Sequence, residues 1–248
     1  PPPPPPLFFF QAHAGIPDPL WSRGLGDVYK RQFLGGVTRR FPQLRMGFLE
    51  GGTAWACQLY ADLIEHWEKR NRTALEYNDP ANLDHGLMID LASEFGPDGM
   101  AELMVDRDHA LFAALNTAAS TNDGGQLELD DYAPCEIKTE EDIADLFVPN
   151  FYFGCEADDR LNATAFNTGV NPMGARINAL FSSDIGHFDV IHMNRVLPHA
   201  WELVEDGVMD LDDFREFTFA NPARFWTAND PNFFAGTTVE AEVAQLLQ

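Results

Sequence analysis

An α/β fold built on a parallel sheet is what this sequence predicts, and three observations predict it. Short apolar runs at 42–50, 151–155 and 176–181 read as buried strands. Amphipathic helical patterns follow them, and the runs lead into acidic residues, Glu50, Glu156 and Asp184.

The first run starts at Pro42, carries Leu44, Met46, Phe48 and Leu49, and stops at Gly51-Gly52. Thr53 is a good N-cap, and Trp55, Leu59, Leu63 and Trp67 then recur every four residues beside Ala56, Tyr60 and Ile64, which predicts a helix over 54–71. Its polar face holds Asp62, Glu65, His66, Glu68 and Lys69 and reads as solvated surface, His66 included. From Asn71 to Leu146 the pattern loosens around Pro80, Gly86, Gly96-Pro97, Gly99 and the loop 122–125. A helix is predicted at 98–119 and a short one at 139–147, where Thr139 precedes three acidic residues. The stretch 72–146 is too long for an ordinary connection and is expected to be a helical insertion or lid; His85 and His109 within it are expected to be structural or exposed.

After the strands at 151–155 and 176–181, helices are predicted at 195–206 and, from an Asp210 cap, at 211–220. A last turn begins at Asn221-Pro222, and a mixed, partly loose tail is expected after Asn229. Asp210-Leu-Asp-Asp fails the EF-hand pattern, because the glycine position holds Arg215 and the terminal acidic position holds Asn221.

The 248 residues carry 16 Lys and Arg against 39 Asp and Glu, a net charge of −23. Such a chain repels a phosphate backbone, so neither nucleic acid nor an anionic membrane surface is expected as a partner. Cys57, Cys135 and Cys155 form an odd, widely spaced set without CxxC, which points to a reduced, cytoplasmic setting. No apolar run approaches the roughly 20 residues of a membrane-spanning helix.

Residues 1–32 have no structural period and include a proline homopolymer. Ser22–Gln32, SRGLGDVYKRQ, resembles the conceptual translation of a transposon-end sequencing adapter, and QAHAGI resembles a damaged copy of a second one. The expectation is a disordered, adapter-derived segment outside the fold, with the gene beginning in mid-frame near Phe33 and the chain a C-terminal fragment.

Four segments, GGVTRRFPQLRMGFLEGGTAW, FYFGCEADD, LFSSDIGHFDV and FANPARFW, together resemble the C-terminal part of the amidohydrolase-related family, which includes aminocarboxymuconate-semialdehyde decarboxylase. The resemblance covers residues 33–248, with 72–146 less diagnostic. It implies a partial TIM-like (β/α)8 barrel, strands six to eight with their helices, and a small-molecule substrate. It also implies a divalent metal, zinc or manganese, and a homo-oligomer of the full-length protein is possible.

The family aspartate falls on Asp184 in Ser183-Asp-Ile-Gly-His187, where a carboxylate can ligate a hard cation and take a proton from water. His187 is then a catalytic group facing substrate or supporting Asp184, or a loop histidine bonded to backbone. Glu50 stands before Gly51-Gly52 where many members have histidine; it is a carboxylate ligand, a substrate-binding group or a mark of a lost metal. Glu156 is assigned to substrate binding.

No His-x-His occurs in the sequence, so the metal site is expected to be incomplete in this chain and the fragment inactive and poorly soluble. The expected activity of the whole protein is that of a metal-dependent hydrolase or non-oxidative decarboxylase (a carboxy-lyase) acting on a small carboxylated or cyclic substrate. The alternatives are a metal-free enzyme using Glu50, Glu156 and Asp184 as acid and base, or a non-catalytic acidic binding module.

Overall fold

The computed structural model describes residues 32–77, 79, 82, 84–102, 104, 120–121, 127–128 and 130–248. The chain divides into two compact units: the described residues of Arg70–Asp131 fall in one, and those of Val28–Lys69 and Tyr132–Gln248 in the other. The element order is α1 (Val37–Arg40), β1 (Met46–Phe48), α2 (Ala54–Arg70), α3 (His85–Phe95), β2 (Ser120–Thr121), β3 (Leu127–Glu128), α4 (Glu140–Phe147), β4 (Phe151–Cys155), β5 (Asn178–Phe181), α5 (Val196–Glu205), α6 (Leu211–Arg215), α7 (Asn221–Thr227) and α8 (Glu240–Leu246).

In the larger unit, β1, β4 and β5 form a parallel sheet in that order, with Phe48 level with Phe153 and Cys155 level with Phe181. The α/β class predicted from sequence holds. Both faces of β4 are buried, which is why its sequence is continuously apolar rather than alternating. Phe151 and Phe153 stack with Phe48 and Phe147, at centroid separations between 4.9 and 5.9 Å. Tyr152 points the other way, onto Phe225 at 5.2 Å.

Predicted elements recur with particular changes. The first strand is only Met46–Phe48, because the Arg45 guanidinium turns back onto the Pro42 carbonyl and Asn150 Nδ2 donates to the carbonyls of Pro42 and Leu44. Thr53 does not cap α2 with its side chain. Its buried Oγ1 donates to the Leu161 carbonyl at 2.8 Å and ties the start of the helix to the segment after β4. Thr139 caps α4 in a reciprocal box with Asp142.

The helix predicted over 211–220 is α-helical only to Arg215 and widens into a π turn over Glu216–Ala220, with the Asn221 N–H reaching Glu216 O. Pro222 explains the widening: its nitrogen carries no hydrogen for the i−4 bond, and its ring would crowd the carbonyl of Thr218. The mixed tail contains α8, which buries Val243.

In the smaller unit, α3 was not expected from the sequence. Asp84 caps it by accepting the Leu87 N–H at 2.9 Å, and it stops at Gly96. β2 and β3 pair antiparallel. Residues 1–31, most of the helix predicted at 98–119, His109 and the loop 122–125 lie outside the described residues. Among the described residues no helix is long and apolar enough to cross a membrane.

Two buried tyrosines differ in one respect. Tyr132 donates its hydroxyl to the Leu63 carbonyl at 2.6 Å, whereas the Tyr60 hydroxyl meets no hydrogen-bond partner among the described residues. Burial, helped by the Asp145 carboxylate, pushes the Tyr60 phenol up to about 12. With the folded value raised above the ordinary 10, the folded state holds its proton more tightly. Stability is full below pH 10 and falls by roughly 2–3 kcal/mol as pH rises through 12. Tyr60→Phe is expected to be neutral or stabilising by up to about 1 kcal/mol at pH 7 and to remove this alkaline loss, measured by urea unfolding at pH 7 and pH 11.

Candidate metal and acid/base site

Parallel strands present their carboxyl ends on one side, so the residues after β1, β4 and β5 converge. The turn after β1 is held against β4, because the Gly52 N–H donates to the Gly154 carbonyl at 3.2 Å. This places Glu50 at the sheet end in a left-handed conformation, φ 64°. Asp184, three residues past β5, has φ 49°. Left-handed backbone is uncommon for residues other than glycine and costly for a glutamate.

A turn then carries the chain round from Asp184 to His187. The His187 N–H donates to the Asp184 carbonyl at 3.2 Å, and Gly186 between them takes φ 114°, a conformation open to glycine but disfavoured for other residues. The turn brings His187 Nδ1 to 3.0 Å from Asp184 Oδ2, with the histidine more open to solvent than the aspartate, 58% against 27%. One ligand atom from each of Glu50, Asp184 and His187 lies within 4.8 Å of the others.

Of the residues singled out from sequence, Glu50, Asp184 and His187 therefore come together. Glu156 does not join them. It is exposed at the end of β4 and lines an adjoining cavity of about 330 Å³, into which Asp184 also faces. Asp158, Asp189, His192 and His199 share that lining. The acidic run after Cys155 signalled Asp158, but nothing in the sequence pattern marked His192, which comes from the irregular path between β5 and α5, or His199, which lies on α5 itself. His66 is exposed on α2, as expected.

The chain matches no protein-family model, no curated protein and no solved structure. The functional reading rests on this geometry and on the chemistry of its groups.

Gly154 sets the spacing beneath the site. A Cβ there would stand 2.7 Å from Ser182 Oγ and 2.8 Å from the Leu180 carbonyl, so β4 and β5 approach too closely for any side chain. Gly154→Ala is expected to cost roughly 1–3 kcal/mol in urea unfolding, because the backbone it strikes belongs to the neighbouring strand.

Proposed function

We propose that this chain is the C-terminal part of a metal-dependent hydrolase or non-oxidative decarboxylase with a (β/α)8-type barrel, and that Glu50, Asp184 and His187 hold its divalent ion, zinc or manganese. The observation that carries this reading is their convergence at the carboxyl end of a parallel sheet. Two carboxylate oxygens and an imidazole nitrogen are donors that zinc and manganese accept, and three protein ligands with a position left open is the usual catalytic count. Tetrahedral ligands bound at about 2.1 Å stand about 3.4 Å apart, so atoms already within 4.8 Å need only small side-chain adjustments. Consecutive parallel neighbours with an acid after each strand fit barrel strands six to eight.

A bound ion would supply Lewis acidity, polarising a carbonyl and acidifying water. The chain's own groups do the rest. Asp184 is placed to accept a proton from the attacking water, and the hydrogen bond at His187 Nδ1 fixes the orientation of its carboxylate. Glu156, on the cavity wall beside Asp184, is placed to hold the substrate.

The Asp184–His187 pair also favours a second reading, since a hydrogen-bonded carboxylate and imidazole can exchange a proton without an ion. Chelation separates the two. In the full-length protein, turnover is expected to vanish on complete removal of the metal and return with one equivalent of zinc or manganese. Turnover that survives removal favours the metal-free enzyme.

A further inference from the structure

Helix α5 is apolar on two sides, and the core takes only one of them. Val196, Ala200 and Leu203 are buried. Leu197 and Trp201 stand one turn apart on the other side, 56% and 40% exposed, and Met193 continues the row one turn earlier, 46% exposed. A helix that is apolar all round belongs in an interior, so the second side of α5 calls for a covering that the described residues do not supply. The loop leading into the helix enlarges this face. Phe188 and Ile191, 95% and 80% exposed, are the two most exposed large apolar side chains among the described residues.

Covering these five side chains would remove on the order of 700 Å² of surface from water, more than a monomer ordinarily leaves in one apolar patch. With a polar rim, that reaches the roughly 800 Å² per partner of a stable protein interface.

Charge selects the occupant. Residues 185–201 hold one acid, Asp189, and one base, Arg195, in a chain with 39 acids and 16 bases. A face without net charge is where two such acidic chains can approach, whereas a basic partner is drawn to the acidic surface elsewhere. Asp189 and Arg195 are both exposed, and among the described residues neither side chain has an ion-pair or hydrogen-bond partner. Opposite charges that miss each other within one chain can meet across a two-fold axis, where every contact is made twice.

We propose that the Phe188–Trp201 face binds a second copy of this chain about a two-fold axis, with Asp189 against Arg195 of the partner subunit and Arg195 against the partner's Asp189. The row of Met193, Leu197 and Trp201 forms the apolar centre of the seam, and Phe188 and Ile191 extend it. Asp189 also lines the cavity beside the strand-end cluster, so the seam runs along the rim of that cavity. The dimer stands apart from the metal reading, since neither charged residue belongs to the cluster.

The test is sedimentation velocity of the 248-residue chain at pH 8 over micromolar concentrations. A species of twice the chain mass is expected. Asp189→Arg and Arg195→Asp each set like charges opposite one another at two places and are expected to weaken the dimer about 100-fold or more. The combined variant Asp189→Arg/Arg195→Asp restores both pairs and is expected to return to within about fivefold of the parent chain. Leu197→Glu is expected to separate the copies while the far-ultraviolet circular dichroism stays unchanged, and Phe188→Glu serves the same purpose should Leu197→Glu not fold.

A monomer throughout this range would overturn the proposal, as would a dimer that the apolar or the charge variants leave undiminished, which would place the contact on another surface. Single reversals that weaken the dimer without recovery in the combined variant would overturn the reciprocal pairing. A monomeric chain that binds phosphatidylcholine vesicles through Leu197 would assign the face to a lipid surface instead, and a longer form of the protein that stays monomeric would assign it to contacts within one chain.

Discussion

Phe153→Ala is expected to cost about 3–5 kcal/mol, a large loss of stability for a single change in the larger unit. The ring is fully buried, stacks on Phe48 at 5.6 Å and Phe147 at 5.9 Å, and meets the Trp55 edge at 5.1 Å. Removing it empties the junction of β1, β4, α2 and α4 at once, and the surrounding groups sit on three different backbones that cannot all close in. Domains of this size are stable by about 5–15 kcal/mol, so the variant is expected to be partly unfolded at 37 °C. Urea unfolding followed by tryptophan fluorescence and circular dichroism measures this. A loss below about 1 kcal/mol would show that the aromatic stack is not the centre of the core.

The second large effect lies at the site. Asp184→Asn keeps the side-chain shape, and asparagine tolerates the left-handed backbone at φ 49°, but it removes the charge. Divalent-ion affinity is expected to fall by about 100-fold or more with little change in folding stability. Glu50→Gly gives the complementary result. Glycine adopts φ 64° freely, so stability is expected to hold or rise by up to about 1 kcal/mol while ion affinity falls. Residues kept in a costly backbone conformation for the sake of their side chains behave in this way. Residues that serve the fold alone do not. Calorimetric titration with Mn²⁺ beside urea unfolding reads both quantities on the same samples.

Where the sequence was informative, a strong period or a cap made it so. The four-residue recurrence of Trp55, Leu59, Leu63 and Trp67 marked α2, and Thr139 with its acidic followers marked α4. The apolar run from Phe151 to Cys155 marked β4 because burial on both faces leaves no polar alternation to confuse with a loop. By contrast, α3 was hidden by Gly86 and by a stretch that reads as punctuated, although Asp84 before it was a usable start signal and Gly96-Pro97 after it a usable stop signal. The π turn before Pro222 lay in a pattern that looked evenly helical, and only the missing proline N–H foretold it.

The site was legible to the same degree. Acids after parallel strands point to a common end, so Glu50, Glu156 and Asp184 could be grouped from sequence. What could not be read was which of them meet. That depends on the turn at Gly186, which swings His187 back onto Asp184, and on the bond from Gly52 to Gly154, which holds Glu50 beside them while Glu156 faces the cavity. Asp158 and His192 reach the cavity along irregular backbone, which has no period to read, and His199 reaches it from the first turn of α5.

The most direct measurement of the central claim is Mn²⁺ binding to the 248-residue chain, followed by electron paramagnetic resonance and checked by elemental analysis after dialysis. The expected result is one ion per chain, lost or weakened by about 100-fold in each of Glu50→Gln, Asp184→Asn and His187→Ala while all three variants keep their unfolding profiles. A folded chain that takes up no ion, or uptake that all three substitutions leave unchanged, would contradict the assignment of Glu50, Asp184 and His187 as a metal site.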